Sequence, residues 1–413
     1  MRNNYSLSLL FAASGLLLLV AFASACKRAK PTVNCARGNY KCLVESYGDQ
    51  IAQDPTDSDA HYHRCMALDF QKDLDGAIAD CSKAIELNPA FVKAYEYRGL
   101  IYDEQLRYGD AIGDFSKMIE LAPASPDGYR LRADAYSDRG EHEKAIDDFG
   151  RAFDLANDDA RPLERRGTEY RKIGRLEDAS NDFTKAIEIN QNFVRAYSDR
   201  CELYTQEKQF DMALLDCTYA VKIANGKERS APTAALAELH AAQGKFAEAL
   251  DDYANAIRLS PTASYLYDNR GRLYSKRQDL SNALADFNKA IEIDPRNWRA
   301  FDNRGLVYIK LADFDHAFAD LNESLRLKPD NSRAFDNRGF ASFKKNDLDN
   351  ALQDYNKAIE LDATNATAFE NRAELYKRLG RNAEAGADVQ KAQSLKAKPP
   401  VTPESESGNS DQQ

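Results

Sequence analysis

The sequence predicts an all-α fold, a solenoid of about ten stacked helical hairpins. The 413 residues repeat with a period of 34, and every repeat has alanine at its twentieth position. Each repeat also contains two stretches with the apolar spacing of an amphipathic helix, such as 301–311 and 317–327, joined by a short polar turn. Because one hairpin cannot bury its apolar faces alone, neighbouring hairpins must pack on one another into a continuous core.

The composition narrows the class of function. Charged residues make up 30% of the chain and hydrophobic residues 43%, which is typical of a protein with a large core and excludes disorder throughout. With 56 basic and 66 acidic residues, the formal net charge is −10. Such a chain lacks the broad positive surface that nucleic acids require, so we expect no nucleic-acid partner.

The first 25 residues have the pattern of an export signal. Arg2 precedes an apolar run over 7–22, and the run leads into Ala-Ser-Ala-Cys at 23–26, which predicts a signal peptide over 1–25. A cysteine after small residues resembles the bacterial lipobox, although Ala23 replaces the usual leucine, and we expect lipid attachment at Cys26. Two alternatives stay open: ordinary cleavage after residue 25, and an uncleaved anchor, since the run approaches the roughly 18 residues that span a bilayer.

The cysteine count agrees with export. Of the seven cysteines, lipid at Cys26 leaves an even six, and the spacing from Cys65 to Cys81 equals that from Cys201 to Cys217. In a chain with an export signal this pattern predicts a disulfide framework in an oxidising compartment. We therefore expect a bacterial envelope protein that is lipid-anchored and faces the periplasm, with the outer membrane favoured over the inner.

The domain organisation follows from the period. Residues 26–57 form the mature N-terminus, in which 42–55 resembles a lone second helix that caps the first repeat. Two extra residues lengthen the fifth repeat near 226–229, and the tail 400–413, rich in Pro, Ser and acidic residues, is predicted to be disordered. The ten repeats are 58–91, 92–125, 126–159, 160–193, 194–229, 230–263, 264–297, 298–331, 332–365 and 366–399.

The seventh repeat shows the pattern most completely. Its residues at positions 4, 8, 11, 20, 24, 27 and 32 are Tyr267, Gly271, Tyr274, Ala283, Phe287, Ala290 and Pro295. This pattern resembles the tetratricopeptide repeat (TPR) family, and together with the export signal the chain resembles an exported bacterial TPR lipoprotein. The resemblance implies a right-handed superhelical solenoid in which the first helices line a groove that binds segments of other proteins.

The same register assigns the cysteines and a set of ion pairs. Positions 8 and 24 face one another in the family pattern, and they hold Cys65 with Cys81 and Cys201 with Cys217, which predicts two disulfides; Cys35 and Cys42 form the remaining pair. The alternative is independent replacement of small and aromatic residues by cysteine. Arginine at position 7 in nine repeats and aspartate at position 23 in all ten predict a structural Arg–carboxylate ladder, with contact to a ligand as the alternative.

The candidate binding residues lie in the last four repeats. Position 6 holds asparagine in each of them, and position 13 holds a basic residue, a regularity that the first six repeats lack. Amides can pair with the backbone of an extended peptide, and a basic row favours an acidic one; the alternatives are amides that satisfy their own neighbours and a solvated charged face. The predicted peptide-binding residues are Asn269, Asn303, Asn337, Asn371, Lys276, Lys310, Lys344 and Arg378.

The sequence contains no pattern for a catalytic, metal or cofactor site. His61 and His63 are two residues apart on a predicted helix and so point to different faces, and no phosphate-binding glycine loop occurs. We therefore expect a non-enzymatic envelope scaffold or adaptor that binds extended, acidic protein segments. The alternatives are a self-associating structural protein, with a homo-oligomer as partner, and a regulatory subunit of an envelope enzyme.

Overall fold

The computed structural model describes residues 35–397, and all regular elements in this range are helices. The predicted all-α fold of repeated helical hairpins is confirmed. The predicted signal peptide 1–25, the predicted lipid site Cys26 and the tail 400–413 lie outside the described residues. By its internal contacts the chain divides into two compact units, one up to Ile173 and one from Gly174 onward.

The first unit consists of one single helix, three hairpins and the first helix of a fourth repeat. Helix α1 packs on α2, the pairs α2–α3, α4–α5 and α6–α7 form hairpins, and α8 packs on α7. The helices are α1 (Tyr40–Gln53), α2 (Ser58–Phe70), α3 (Leu74–Leu87), α4 (Val92–Glu104), α5 (Tyr108–Leu121), α6 (Pro126–Arg139), α7 (His142–Leu155) and α8 (Arg161–Lys172).

The second unit begins with the second helix of the fourth repeat and continues through six hairpins. A short 3₁₀ helix, Gly226–Arg229, precedes the sixth repeat, where the sequence has two extra residues. The helices are α9 (Leu176–Ile189), α10 (Val194–Gln206), α11 (Phe210–Ile223), α12 (Ser230–Ala242), α13 (Phe246–Leu259), α14 (Ser264–Lys276), α15 (Leu280–Ile293), α16 (Trp298–Lys310), α17 (Phe314–Leu327), α18 (Ser332–Lys344), α19 (Leu348–Leu361), α20 (Ala366–Arg378) and α21 (Asn382–Ala397).

The core of each hairpin explains why position 20 is alanine. These alanines are buried, and where position 24 is aromatic, as at Phe115 and Phe287, its ring lies across the hairpin against position 8 of the first helix. At Gly99 an added Cβ would lie 2.6 Å from the ring of Phe115, and at Gly271 it would lie 2.8 Å from the ring of Phe287. The two helices therefore pack too closely here for any residue larger than glycine without a shift of the ring.

Two of the hairpins have a disulfide at this same contact. Cys65–Cys81 and Cys201–Cys217 each join positions 8 and 24, with a Cα–Cα distance of 5.4 Å in both. Cys35–Cys42 joins the segment before α1 to the first turn of that helix, at a Cα–Cα distance of 5.9 Å. The structure thus pairs all six cysteines that it describes.

In most repeats the arginine at position 7 joins the two helices of its hairpin, and in several it also contacts the preceding hairpin; the sixth repeat has Leu236 at this position. In the eighth repeat, Nε and Nη2 of Arg304 donate to the two carboxylate oxygens of Asp320 at 2.7 and 2.6 Å, and Nη1 donates to Asn288 of the seventh repeat at 2.6 Å. Such a bidentate pair fixes the angle of the guanidinium as well as its position. The same carboxylate contact is made by Arg64, Arg98, Arg132, Arg200, Arg270, Arg338 and Arg372.

The turn inside each hairpin has one residue in the left-handed region, at position 15. Only glycine adopts this conformation without a steric penalty, yet six of the ten residues have a Cβ. The ten residues, with φ between 58° and 86°, are Lys72, Leu106, Gly140, Gly174, Lys208, Gly244, Gln278, Ala312, Asn346 and Gly380.

Candidate functional site

The first helices of the last four repeats form a continuous face. Helices α14, α16, α18 and α20 contact one another in succession, more closely than the second helices α15, α17, α19 and α21 do. Stacked hairpins whose first helices lie closer together curve toward that side, so the first helices form the inner face of these repeats. We call this face, with positions 2, 5, 6, 9, 12 and 13 of the four repeats, the C-terminal groove.

Three of the four predicted amides bind an aspartate of the preceding repeat. Nδ2 of Asn303 donates to Asp268 at 2.8 Å, and that of Asn337 donates to Asp302 at 2.7 Å. The third amide, Asn371, donates to Asp336 at 2.8 Å. Each bond runs from position 6 of one repeat to position 5 of the repeat before it, so the amides and carboxylates form an Asp–Asn ladder along the groove.

The fourth amide differs because its preceding repeat has no acid. Position 5 of the sixth repeat is Ala234, and the oxygen of Asn269 accepts a hydrogen bond from Arg272 at 3.2 Å. The four amides were predicted as one class of peptide contact. The structure instead gives three of them a partner within the groove, which was the alternative interpretation, and each of those three keeps a second N–H.

The carboxylates of the ladder are buried. Asp268, Asp302 and Asp336 are exposed by only 4%, 0% and 4%. Burial raises the pKa of Asp268, against the opposing effect of the Asn303 amide and nearby arginines. Burial raises the pKa of Asp336 to about 6, with a smaller contribution from the charge of Asp302 and an opposing one from Asn371. Desolvation favours the neutral form of both acids.

The basic row at position 13 lies at the other end of the same helices, and all four of its residues are exposed. Lys310 donates to the backbone oxygen of Ser275 at 3.3 Å and to its hydroxyl at 3.1 Å. The other three lie over aromatic rings, at 4.9 to 5.8 Å from the ring centres, which fixes their position while leaving the charge in solvent. The pairs are Lys276 with Phe246, Lys344 with Phe340, and Arg378 with Phe343.

Sequence reasoning missed three arginines that act on the buried aspartates of the groove. Arg333 donates to Asp302 at 2.6 Å and to the oxygen of Asn303 at 3.0 Å. Arg272 and Arg299 act electrostatically on the same Asp268 as Arg333 does. Partial burial lowers the pKa of Arg299 against the opposing charge of Asp268, and the charges of Arg333 and Arg272 add to the lowering. The signal was present in the sequence as arginine at position 2 of two consecutive repeats.

On helices α14, α16 and α18 the groove therefore presents cations and buries its acids, whereas Glu370 and Glu374 on α20 are exposed. On helices α14, α16 and α18 the only acidic residues are the three buried aspartates of the ladder, whereas arginines at one end and the basic row at the other are exposed. Between these two basic edges lie the half-buried rings of Phe340 and Phe343. This arrangement can hold an elongated ligand that carries negative charges and some apolar surface.

The structure also describes the histidines, the possible metal ligands and the hydropathy of the helices. Nδ1 of His61 lies 3.1 Å from Asp80, so this histidine is part of the first Arg–Asp pair. Within residues 35–397 no group of three or more His, Cys, Asp or Glu side chains is arranged to hold a metal ion. In the same range, no helix combines the length and hydropathy that crossing a membrane requires.

Family models match most of the repeat array. A model described as TPR repeat matches residues 271–312 and 339–380, and models described as tetratricopeptide repeat match 58–91, 97–162, 160–193, 299–331 and 366–399. Together these segments cover more than half of the chain. No curated protein matches the sequence.

Solved structures show the same fold at low identity. The human IFIT1 dimer with m7Gppp-AAAA is 15% identical, with a TM-score of 0.53, over 89% of this chain and 96% of its own. A tetratricopeptide repeat protein from Parabacteroides merdae is 21% identical, with a TM-score of 0.52, over 65% of this chain and 98% of its own. At these identities the similarity extends to the fold alone.

Proposed function

Because the chain belongs to the tetratricopeptide repeat family, whose repeats form protein-interaction scaffolds, we propose that it is an exported, non-enzymatic scaffold that holds extended, acidic segments of other proteins in the C-terminal groove. None of the family models that match describes an enzyme. The single observation that carries the proposal is the separation of charge in the groove, where the aspartates are buried and the cations are exposed.

The two basic edges give the groove a binding direction and a charge preference. A segment that lies across α16 and α18 meets Arg299 and Arg333 at one edge and Lys310 and Lys344 at the other. Exposed cations of this kind accelerate encounter with an acidic partner and select against a basic one. Burial of partner side chains against Phe340 then adds an apolar contribution that salt does not screen.

The sequence predicted that four free amides bind the peptide, but the amides of the ladder have fewer donors to offer than that. Because Asn337 and Asn371 each use one N–H on a buried aspartate, only the second N–H is available to a peptide carbonyl. An amide held in this way loses little side-chain entropy on binding. We therefore assign these residues a fixed donor to the peptide backbone and assign the charge preference to the basic edges.

The experiment uses two synthetic probes, an extended peptide of alternating glutamate and serine and its lysine–serine analogue, with fluorescence anisotropy as readout. We expect the acidic probe alone to bind, and more weakly as salt is raised. The variant Lys310→Glu with Lys344→Glu should bind the acidic probe about tenfold more weakly at low salt. The matched control is Lys289→Glu with Lys357→Glu, which reverses two exposed lysines on the second helices.

Two results would contradict this assignment of the site. Equal binding of both probes would remove the charge preference. An equal loss of binding in the groove variant and in the control would show that net charge, rather than this groove, governs the interaction.

Export and lipid attachment at Cys26 are proposed together with this function. The apolar run before Cys26 and the three disulfides at Cys35, Cys65 and Cys201 with their partners support an oxidising compartment. We expect the wild-type chain to fractionate with membranes and Cys26→Ser to be released from them. Membrane association of Cys26→Ser with an intact N-terminus by mass spectrometry would indicate an uncleaved anchor instead.

A further inference from the structure

Helix α11, the second helix of the fifth repeat, has an exposed apolar stripe. Met212, Leu215 and Tyr219 are exposed by 47%, 65% and 36%, and Leu214 beside them by 37%. The opposite face of the same helix is in the core, where Ala213, Cys217 and Ala220 are fully buried. The stripe is therefore additional to the apolar face that the hairpin needs. In residues 35–397 the other large apolar side chains with comparable exposure are Leu311 and Leu379, which follow the C-terminal ends of α16 and α20.

The stripe is specific to this repeat. Met212, Leu215 and Tyr219 occupy positions 19, 22 and 26. In the other nine repeats position 19 is glycine, histidine, an amide or a charged residue, position 22 is polar, alanine or glycine, and position 26 is charged or asparagine. Since the fold is built nine times without a large apolar residue at any of these positions, folding of the hairpin does not account for Met212 and Leu215. The ring of Tyr219 also packs on Tyr197 of α10, with 4.7 Å between the ring centres.

The spacing of the stripe is that of a helix–helix seam. The steps from 212 to 215 to 219 to 222 are three, four and three residues, which is the spacing of a heptad seam between two packed helices. Lys222 ends the seam at the C-terminal end of α11, and Asp211 lies beside its N-terminal end, both exposed. The exposed face thus has an acid at one end and a base at the other, about 16 Å apart along the axis.

This charge pattern is complementary to itself in one orientation. If a second α11 lies antiparallel on the first, Lys222 of each copy meets Asp211 of the other, and Leu215 of each copy lies against Tyr219 of the other. A parallel arrangement would bring acid against acid and base against base. Antiparallel packing of identical surfaces about a two-fold axis is the usual geometry of a homodimer.

We propose that two copies of this chain associate through α11, as an antiparallel pair of helices with Leu215 and Tyr219 at the centre and Asp211–Lys222 ion pairs at both ends. The contact lies on a second helix, so it leaves the first helices of the C-terminal groove accessible. The area of a single helix face is small compared with a standard interface, so the dimer is a weak, reversible one in the micromolar range.

The test is sedimentation equilibrium of residues 27–413, a segment that contains every helix described above, with its disulfides intact. We expect a concentration-dependent dimer for the wild type. Leu215→Glu should weaken dimerisation about tenfold or more, because each copy would bury a glutamate against Tyr219 of the other at the centre of the contact. Gln353→Glu adds the same charge at position 22 of the ninth repeat, where the residue is also exposed, and should leave the dimer unchanged.

Charge exchange tests the antiparallel geometry itself. Asp211→Lys and Lys222→Asp should each weaken the homodimer, because each places like charges at both ends. The double variant should restore it, and a mixture of the two single variants should form a heterodimer that neither forms alone. These outcomes do not depend on binding in the groove, so failure here and failure of the proposed function can be distinguished.

Several results would overturn the proposal. A wild type that stays monomeric at high micromolar concentration would do so, as would a dimer that Leu215→Glu does not affect. Rescue that is absent in both the double variant and the mixture would exclude the antiparallel contact. Binding of the monomer to phosphatidylethanolamine–phosphatidylglycerol vesicles that is lost in Leu215→Glu would assign the stripe to a lipid surface instead.

Discussion

The first three repeats and the last four use the same hairpin but carry different chemistry on their first helices. In both regions the arginine at position 7 forms an ion pair with the aspartate at position 23. The pairs Arg98–Asp114 and Arg304–Asp320 are even equally buried, with 18% of the arginine and 7% of the aspartate side chain exposed in each. The difference lies elsewhere on the helix, which shows that positions that build the hairpin are separate from those that line its inner face.

The first helices of the two regions differ at positions 5, 6 and 13. In the first region the hydroxyl of Tyr97, at position 6, donates to buried Asp69 at 2.8 Å, and position 13 holds Phe70, Glu104 and Asp138. In the last four repeats position 6 is an amide and position 13 is basic. In both regions a buried carboxyl group accepts a hydrogen bond from the next repeat. In the last four repeats this contact recurs from one repeat to the next, and an exposed basic row accompanies it.

The largest expected effect is the loss of stability when an Arg–Asp pair is broken, and it tests whether the pairs of the two regions are equivalent. Arg98→Ala and Arg304→Ala should each lower local stability by about 3–5 kcal/mol, because each leaves a buried aspartate without its cation. Arg326→Ala, which removes an exposed pair with Glu323, should leave it nearly unchanged, because solvent screens such a pair. Hydrogen exchange of the affected hairpin measures the effect. Clearly unequal losses at 98 and 304 would show that the two regions differ in the hairpin as well as on the inner face.

The next largest effect is that loss of a disulfide should destabilise the first region and leave the last four repeats unchanged. The disulfide Cys65–Cys81 closes a loop in the first repeat, whereas the last four repeats contain no cysteine. Replacing both cysteines with alanine should destabilise the first hairpin by about 3 kcal/mol in the chain-entropy model. Protection of amides in α16–α19 against hydrogen exchange should stay the same, and a loss there would contradict the independence of the two regions.

A change of pH should affect the buried carboxyl of the ladder. Burial raises the pKa of Asp336 to about 6, above the value of about 3.9 for an unfolded chain. Its stabilising contribution is therefore fully present below pH 4 and is lost as the pH rises through 6, a change of about 2–3 kcal/mol. The difference in unfolding free energy between wild type and Asp336→Asn, measured from pH 4 to 8, should show this loss. A difference that rises with pH would contradict it.

The smallest effect separates the amides from one another. Asn303→Ala should lower stability by about 1–2 kcal/mol, because the buried Asp268 loses its donor. Asn269→Ala is the matched substitution at the same position without a carboxylate partner, and it should change stability by less than about 0.5 kcal/mol. Urea unfolding of both variants gives the comparison. Equal losses would mean that the Asp–Asn contact is not the source of the effect.

Much of the fold could be predicted from the sequence because the information is local. Alanine at position 20 and the two apolar stretches define the hairpin within one repeat. The Arg–Asp pairs could be predicted for the same reason, since both partners lie sixteen residues apart in one hairpin, as Arg304 and Asp320 do. These contacts depend on the packing of two consecutive helices, which the family pattern already describes.

The groove could be predicted only in part because its contacts join different repeats. Asn303 meets Asp268 across thirty-five residues, one more than the period, and that offset depends on how successive first helices are placed against each other. The pattern identified the amides and the basic row but not the pairing that fixes them. Arg272 and Arg299, at positions 9 and 2, act on the same aspartate, and no single position of the repeat contains that information.

The left-handed turn at position 15 has a consequence for the evolution of the array. Lysine, leucine, glutamine, alanine and asparagine all occupy it with φ near 60°, so helix packing imposes the conformation rather than the residue. Each of these six turns stores a penalty of about 1 kcal/mol relative to glycine. Substitution of glycine at one of these positions removes the penalty and changes only the turn. It can therefore restore stability that a substitution on the inner face has cost while binding specificity changes.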